Sequence, residues 1–137
     1  MAVESYIRSR QPRVSCWVAD YRDLRAWQES VRLVVASRDV ILKLPEVERF
    51  GLADQWRRAS YSVSLNIVEG ATRRGPKEFR RYLDMARGSL HEIEGIISLV
   101  EALGYCDAQD LLSVKASRDS CAKMVYGLLR RMAAPHT

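Results

Sequence analysis

Residues 57–94 read RRASYSVSLNIVEGATRRGPKEFRRYLDMARGSLHEIE, and this stretch decides the fold. It predicts a helix, a tight basic turn and the start of a longer helix. Gly70 is a good helix stop, and Pro76 suits the first position of the next helix. Polar residues recur along the first helix at spacings of four, four and three, so they share one face. They are Arg58, Ser62, Asn66 and Glu69, and a second polar line on the longer helix comprises Glu78, Tyr82, Ser89 and Glu92.

These polar lines have two interpretations. In one, the first line pairs with Ser89 and Glu92 in an inter-helix polar seam, because buried polar groups must be hydrogen-bonded. In the other, both lines face water. Asn66, a mediocre helix former, either binds a ligand or makes a structural hydrogen bond to the neighbouring helix, and we favour the hydrogen bond.

The rest of the chain extends this helical pattern. The sequence predicts an all-α fold, an antiparallel up-down four-helix bundle over residues 21–133, preceded by a mobile or misassigned extension (1–20) and followed by a tail (134–137). Asp20 or Asp23 caps a first helix that ends near Leu44, before Pro45. The other helices span about 52–69 and 76–103, and a last one opens at Asp107 with Asp110 at its third position. The predicted buried face of the first helix comprises Leu24, Trp27, Val31, Val34, Val35, Ile41 and Leu42.

Composition restricts the class of protein. A chain of 137 residues with 47% hydrophobic and 28% charged residues fits one globular domain. Three widely spaced cysteines, an odd number, indicate reduced thiols and a cytoplasmic protein, with Cys121 in the core. No apolar run is long enough for a membrane span.

Catalytic and metal motifs are missing from the sequence. His91 lies beside Glu92 and Glu94, but a di-iron motif needs a glutamate three residues earlier, where Gly88 stands. We therefore predict a surface or seam histidine, no metal, no cofactor and no enzymatic activity.

A basic patch is the strongest remaining signal. Residues 70–87 hold six basic and two acidic side chains, a local balance of +4 within a net charge of +5. The basic residues are Arg73, Arg74, Lys77, Arg80, Arg81 and Arg87. A helix N-terminus favours anions, and Tyr82 offers a ring for base stacking, so the patch predicts contact with RNA or DNA. The alternative is a solvated helix face, with Arg80 paired to Asp84.

Motif residues throughout this chain support a family resemblance. They are Asp23-Leu24, Trp27-Gln28, Pro45, Glu48, Phe50-Gly51-Leu52, Gln55, Arg58-Ala59, Ser62, Asn66-Ile67, Glu69-Gly70, Arg74, Glu78-Phe79, Leu83, Ala86 and Gly88-Ser89. This set resembles the four-helix-bundle proteins encoded by intervening sequences in bacterial large-subunit ribosomal RNA genes, relatives of the accessory variability proteins of diversity-generating retroelements. The sequence departs from the family at NIVEG, where Val68 replaces the usual alanine.

The resemblance implies a non-enzymatic homo-oligomer, a pentamer, that binds nucleic acid or supports an enzyme such as a reverse transcriptase. The alternative is a protein-interaction scaffold with no nucleic-acid role. Close approach of another helix or subunit would explain mid-helix Gly88, which costs about 1 kcal/mol against alanine. Oligomer formation would also use aromatic side chains in excess of one core, namely Trp27, Trp56 and Tyr82.

Overall fold

Five α-helices make up most of the described chain. The computed structural model describes residues 2–9 and 20–132. The helices are α1 (Ala2–Arg8), α2 (Arg25–Ile41), α3 (Leu52–Ala71), α4 (Pro76–Ala102) and α5 (Ala108–Met132), with single 3-10 turns at Tyr21–Asp23 and Glu46–Glu48. No β-strand occurs in these two described ranges. The all-helical prediction is confirmed, and α2 to α5 are the four predicted helices.

Helix α1 was not predicted, because seven residues with one buried side chain, Ile7, show no period. It packs on α2: Arg32 Nε donates to Glu4 Oε2 over 2.9 Å, and Trp27 Nε1 donates to Tyr6 Oη over 3.0 Å. The Arg32 hydrogen bond lowers the pKa of Glu4. Residues 10–19 and 133–137 lie outside the described residues, and the mobility of the extension stays a prediction.

One core joins the four long helices, since α2 packs on α3 and α5, and α4 packs on the same two helices. Apolar side chains that recur at helical spacing along α3 to α5 are buried there, and the largest fully buried side chains include Trp56, Phe79 and Leu83. Cys121 is also in the core, as predicted, and burial raises the pKa of its thiol. Trp56 therefore belongs to the core of this chain and provides no argument for assembly.

The predicted buried face of the first helix is right at Leu24, which is buried just before α2, and partly right at Trp27 and Ile41, which pack against the core. The rest of the prediction is wrong by a rotation about the helix axis. The buried stripe is Ala26, Ser30, Leu33, Ser37 and Val40, together with Gln28, while Val31 and Val34 are half-buried and Val35 and Leu42 are exposed. Ser64 Oγ of α3 donates to Ser30 Oγ over 2.9 Å, and Ser30 Oγ donates to the carbonyl oxygen of Trp27. Ser30 and Ser64 thus satisfy each other's hydroxyls at the α2–α3 contact, whereas Ser37 Oγ is buried without a hydrogen-bond partner among the described residues. Small side chains fill this face of α2, which leaves valines on the outside.

Side-chain carboxylates cap the starts of α3 and α5. Asp110 N donates to Asp107 Oδ1 over 2.8 Å at the start of α5, as predicted. Asp20, in contrast, caps the 3-10 turn by accepting from Arg22 N, and α2 itself begins without a side-chain cap. Glu48 caps α3: its Oε1 accepts from Leu52 N over 3.0 Å.

Candidate nucleic-acid interface

The turn between α3 and α4 is held by two glycines. Gly75 has a φ of 87°, a left-handed conformation that favours glycine, directly before Pro76 at the first turn of α4. A Cβ added to Gly70 would lie 2.8 Å from Phe79 Cδ1 and 2.9 Å from Tyr82 Cβ. Gly70 is therefore a close-contact point rather than the predicted helix stop, and α3 continues to Ala71. This tight turn presents its basic residues at one end of the molecule.

Two of these basic side chains cover Tyr82. The guanidinium carbons of Arg73 and Arg81 lie 5.3 and 4.7 Å from its ring centroid, and both groups donate to Tyr82 Oη over 3.2 Å. The electrostatic interaction with Tyr82, and to a smaller extent that with Glu69, raises the pKa of Arg73. Tyr82 is thus engaged within the chain, and a stacking base would have to displace a guanidinium group.

The other four predicted contacts differ in availability. Arg74 and Lys77 are exposed and form no hydrogen bond or ion pair with another described residue. Arg80 is half-buried, and its Nη1 donates to the carbonyl oxygen of Met132 over 3.0 Å at the end of α5. Arg87 is exposed and pairs with Asp84 over 3.1 Å. The predicted Arg80–Asp84 pair is wrong, because Arg80 caps α5 instead.

The end of α5 brings two further cations to this end of the molecule. Arg130 and Arg131, both exposed, lie in its last turn, next to the Met132 carbonyl that Arg80 binds. Sequence reasoning missed them because about 50 residues separate them from the turn. Their position in the last turn of a helix, where cations are favoured, was the available signal.

The predicted seam residues separate into a central cluster and three outer residues. Ser89 Oγ of α4 donates to Ser62 Oγ of α3 over 2.9 Å, and Asn66 Nδ2 donates to Ser62 Oγ over 3.0 Å and to its carbonyl oxygen over 2.9 Å. Asn66 therefore bonds its own helix and reaches α4 only through Ser62.

The outer seam residues Arg58, Glu69 and Glu92 are exposed. Arg58 pairs with Asp54 over 3.2 Å, and Glu69 pairs with Arg73. Glu92 forms no hydrogen bond or ion pair within the described part of the chain. The structure brings Ser62, Asn66 and Ser89 together and leaves these three facing solvent.

A buried arginine links α5 to α4. Arg118 is 8% exposed, and its Nε donates to the carbonyl oxygen of Leu90 over 3.0 Å. Its Nη1 also lies 2.9 Å from Asp119 Oδ1 and 3.7 Å from Glu94 Oε2. Sequence reasoning missed this contact, since one basic residue on a charged helix gives no sign of burial.

An open groove of about 660 Å³ lies on the outer surface where α4 and α5 meet. Gly88 forms part of its lining, and a Cβ at Gly88 would meet no atom of the described chain within 4 Å apart from the adjoining backbone of α4. His91 and Tyr126 also line it, with stacked rings 6.4 Å apart and a 3.2 Å contact between His91 Nε2 and Tyr126 Oη. Arg87 and Arg130 complete a groove of cationic and planar groups. His91 is exposed, as predicted.

The opposite end of the molecule, which we call the apolar end, exposes several large apolar side chains beside charged ones such as Lys43 and Arg49. Tyr105 Oη donates to Glu48 Oε2 over 2.8 Å, so the α2–α3 connection lies against the α4–α5 connection. Exposed side chains project there from both connections, including Val47 at 80% and Phe50 at 85% exposure. Others at this end are Leu42, Leu99, Leu103 and Leu112.

The described ranges contain neither a candidate metal site nor a candidate membrane-spanning helix. No group of three or more histidine, cysteine, aspartate or glutamate side chains in residues 2–9 and 20–132 could hold a metal ion. None of the helices described there combines the length and hydropathy needed to cross a bilayer.

Comparison with known proteins places the chain in a family. The family model described as 23S rRNA-intervening sequence protein matches residues 22–127, more than three quarters of the chain. The match includes α2 to α4 and most of α5. A search of curated proteins returned no significant match. The chain therefore belongs to the 23S rRNA-intervening sequence protein family.

Proposed function

We propose that this protein is a non-enzymatic homo-oligomer that binds single-stranded nucleic acid through its basic end. The observation that carries this proposal is the tight turn holding Arg73, Arg74 and Lys77 at the N-terminus of α4. Arg74 and Lys77 have no carboxylate partner among the described residues, so their charges are available to phosphate. Neutralising phosphate releases counterions, which drives binding, and the helix N-terminus adds to the attraction.

The outer face of α2 and α3 supports assembly. It presents Val35, Tyr61 and Leu65 to solvent while serines fill the contact beneath. A monomer usually buries its large apolar side chains and exposes its hydroxyls, and this face does the reverse. A second copy packed on the face would remove these apolar side chains from water. Trp27 and Tyr82 are engaged within the chain, so neither argues for assembly. Gly88 has no close neighbour among the described residues outside its own helix backbone, so its part in assembly stays a prediction.

Finer features of the proposal rest on the resemblance. A pentamer, a relation to the accessory proteins of diversity-generating retroelements and a reverse transcriptase partner all extend from it. We also propose that α2 to α5 form an antiparallel up-down bundle to which α1 adds a fifth helix; the short connections support this arrangement. The buried free thiols of Cys106 and Cys121 fit a cytoplasmic protein.

The apolar end favours a second candidate, a protein-interaction scaffold with no nucleic-acid role. Leu42, Val47 and Phe50 together expose an apolar surface of the kind that marks protein contact sites. Under this alternative the positive charge serves solubility only.

Titration of a fluorescein-labelled single-stranded RNA separates the two candidates. The test variant carries Arg73→Ala, Arg74→Ala and Lys77→Ala. Each lost contact to a single strand removes ~0.7 from the salt exponent. At ~0.1 M salt the variant should therefore bind about 25-fold more weakly if only the unpaired Arg74 and Lys77 contact phosphate, and about 100-fold more weakly if Arg73 leaves Glu69 to do so as well.

The matched control removes the same charge elsewhere, through Lys43→Ala, Arg49→Ala and Arg58→Ala. These side chains are exposed and lie away from the basic end. The control should keep near-wild-type affinity. Equal affinity of both triple variants, or no binding by the wild type, would favour the scaffold.

A further inference from the structure

We propose that the groove between α4 and α5 receives an unpaired base of a bound single strand, with its flanking phosphates on Arg87 and Arg130. This inference rests on the proposed nucleic-acid function and names the site where a base, rather than the backbone alone, is held. The basic end supplies general attraction for phosphate. The groove supplies a planar surface, room beside it and cations next to it.

Gly88 provides the room. It lies in the middle of α4, where glycine costs about 1 kcal/mol relative to alanine. Apart from the adjoining backbone of α4, no atom of the described residues comes within 4 Å of the position of its missing Cβ. Packing within the chain therefore does not require a glycine. A flat base lying against the helix backbone does, because a side chain at this position would occupy the lining of the groove.

His91 and Tyr126 provide the planar surface. Their rings are inclined by 28°, and the 3.2 Å contact between His91 Nε2 and Tyr126 Oη holds them together across the groove. Every base has a π-face, so stacking on an aromatic ring suits any sequence. Tyr126 is half-buried and packs against the core, which fixes its ring in place. The Tyr82 ring, in contrast, is covered by two guanidinium groups that a base would have to displace.

The positive charge of the groove and its short distance from the basic end favour a nucleic-acid strand, rather than a helix of a second copy, as its occupant. Among the described residues that line the groove, Asp84 is the one carboxylate, and it is paired with Arg87 over 3.1 Å. Glu94 lies outside the lining, with its Oε1 3.9 Å from His91 Nδ1. Lys77 and His91 are 14 residues apart on α4, about 21 Å at 1.5 Å per residue. A strand of a few nucleotides can therefore contact the basic end and reach the groove together.

The test uses two glycine variants that differ only in place. Gly88→Gln fills the groove with a neutral side chain, and Gly95→Gln makes the same change seven residues along α4, where a Cβ also meets nothing within 4 Å. The probe is a single-stranded oligonucleotide containing 2-aminopurine, whose emission is quenched when it stacks. Gly88→Gln should lose affinity about five- to 150-fold, the range for one stacked base, and should lose the quenching. Gly95→Gln should bind as the wild type does, and both variants should melt at or above the wild-type temperature.

A second pair of variants tests the ring itself. Tyr126→Leu should lose the quenching, and Tyr126→Phe, which keeps the ring without the hydroxyl, should retain it. Wild-type affinity and quenching in Gly88→Gln would overturn the base site while leaving the basic end intact. A fall in molar mass of Gly88→Gln by light scattering would assign the groove to a second copy and also overturn it. If the wild type binds no oligonucleotide at all, the proposed function fails first.

Discussion

Gly70→Ala tests whether α3 and α4 approach as closely as the structure indicates. The new Cβ would lie 2.8 Å from Phe79 Cδ1, 2.9 Å from Tyr82 Cβ and 3.2 Å from the carbonyl oxygen of Phe79. Two of these neighbours belong to backbone or to a Cβ, which cannot rotate away. Overpacking of this kind costs about 1–3 kcal/mol. The gain in helix propensity is at most ~1 kcal/mol, and less here because Gly70 is next to the last residue of α3.

The net expectation is a loss of about 1–2 kcal/mol in the free energy of unfolding. At ~2.1 cal/mol/K per residue, the unfolding entropy of a chain of this length is about 0.3 kcal/mol/K, so Tm should fall by ~3–7 °C. Differential scanning calorimetry measures it, with Gly95→Ala as control. That variant adds a methyl group in open space and should raise Tm by ~2–3 °C. A Gly70→Ala protein as stable as the wild type would refute the close contact.

Three further substitutions test other contacts. Asn66→Leu removes two hydrogen bonds to Ser62 and should lower the free energy of unfolding by about 1 kcal/mol; an unchanged urea midpoint would mean that the cluster adds no stability. Glu48→Gln tests pH dependence: the α3 backbone N–H, and then a tyrosine hydroxyl, lower the pKa of Glu48 below 4.5. Its stabilisation is present above that value and lost as pH falls through the folded pKa, so the two urea midpoints should differ at pH 7 and converge in acid. Arg118→Ala removes a charged donor to the Leu90 carbonyl and should cost about 1.5–3 kcal/mol by the same urea assay, whereas a near-neutral result would contradict a structural role for this contact.

The parts of the fold that follow from local rules could be predicted from the sequence. Pro76, the reciprocal Asp107–Asp110 cap and the buried lines of α3 to α5 depend on neighbours along one helix. The face of α2 could not be predicted, because hydropathy places valine inside and serine outside. The Ser30–Ser64 hydrogen bond reverses that order by satisfying both hydroxyls at a close helix contact.

The candidate site also has features that one segment of sequence predicts and features that depend on contacts between helices. A run of basic residues within one segment, such as Arg73, Arg74 and Lys77, can be recognised from the sequence alone. The covering of Tyr82 by two guanidinium groups and the use of Arg80 to cap α5 depend on tertiary contacts. So does the groove beside Gly88, since the Tyr126 ring comes from another helix. Sequence reasoning therefore found the charge but not which charges are available.

The salt dependence of RNA binding tests the central claim most directly. The logarithm of the association constant, plotted against the logarithm of salt concentration, has a slope of about −0.7 for each phosphate contact to a single strand. For the variant with Arg73, Arg74 and Lys77 changed to alanine, the slope should be shallower than that of the wild type by about 1.4 for the two unpaired cations, and by about 2 if Arg73 also binds phosphate. The control with Lys43, Arg49 and Arg58 changed to alanine should keep the wild-type slope. Equal slopes for the wild type and the first variant, or the same reduction in both variants, would contradict a nucleic-acid interface at the basic end.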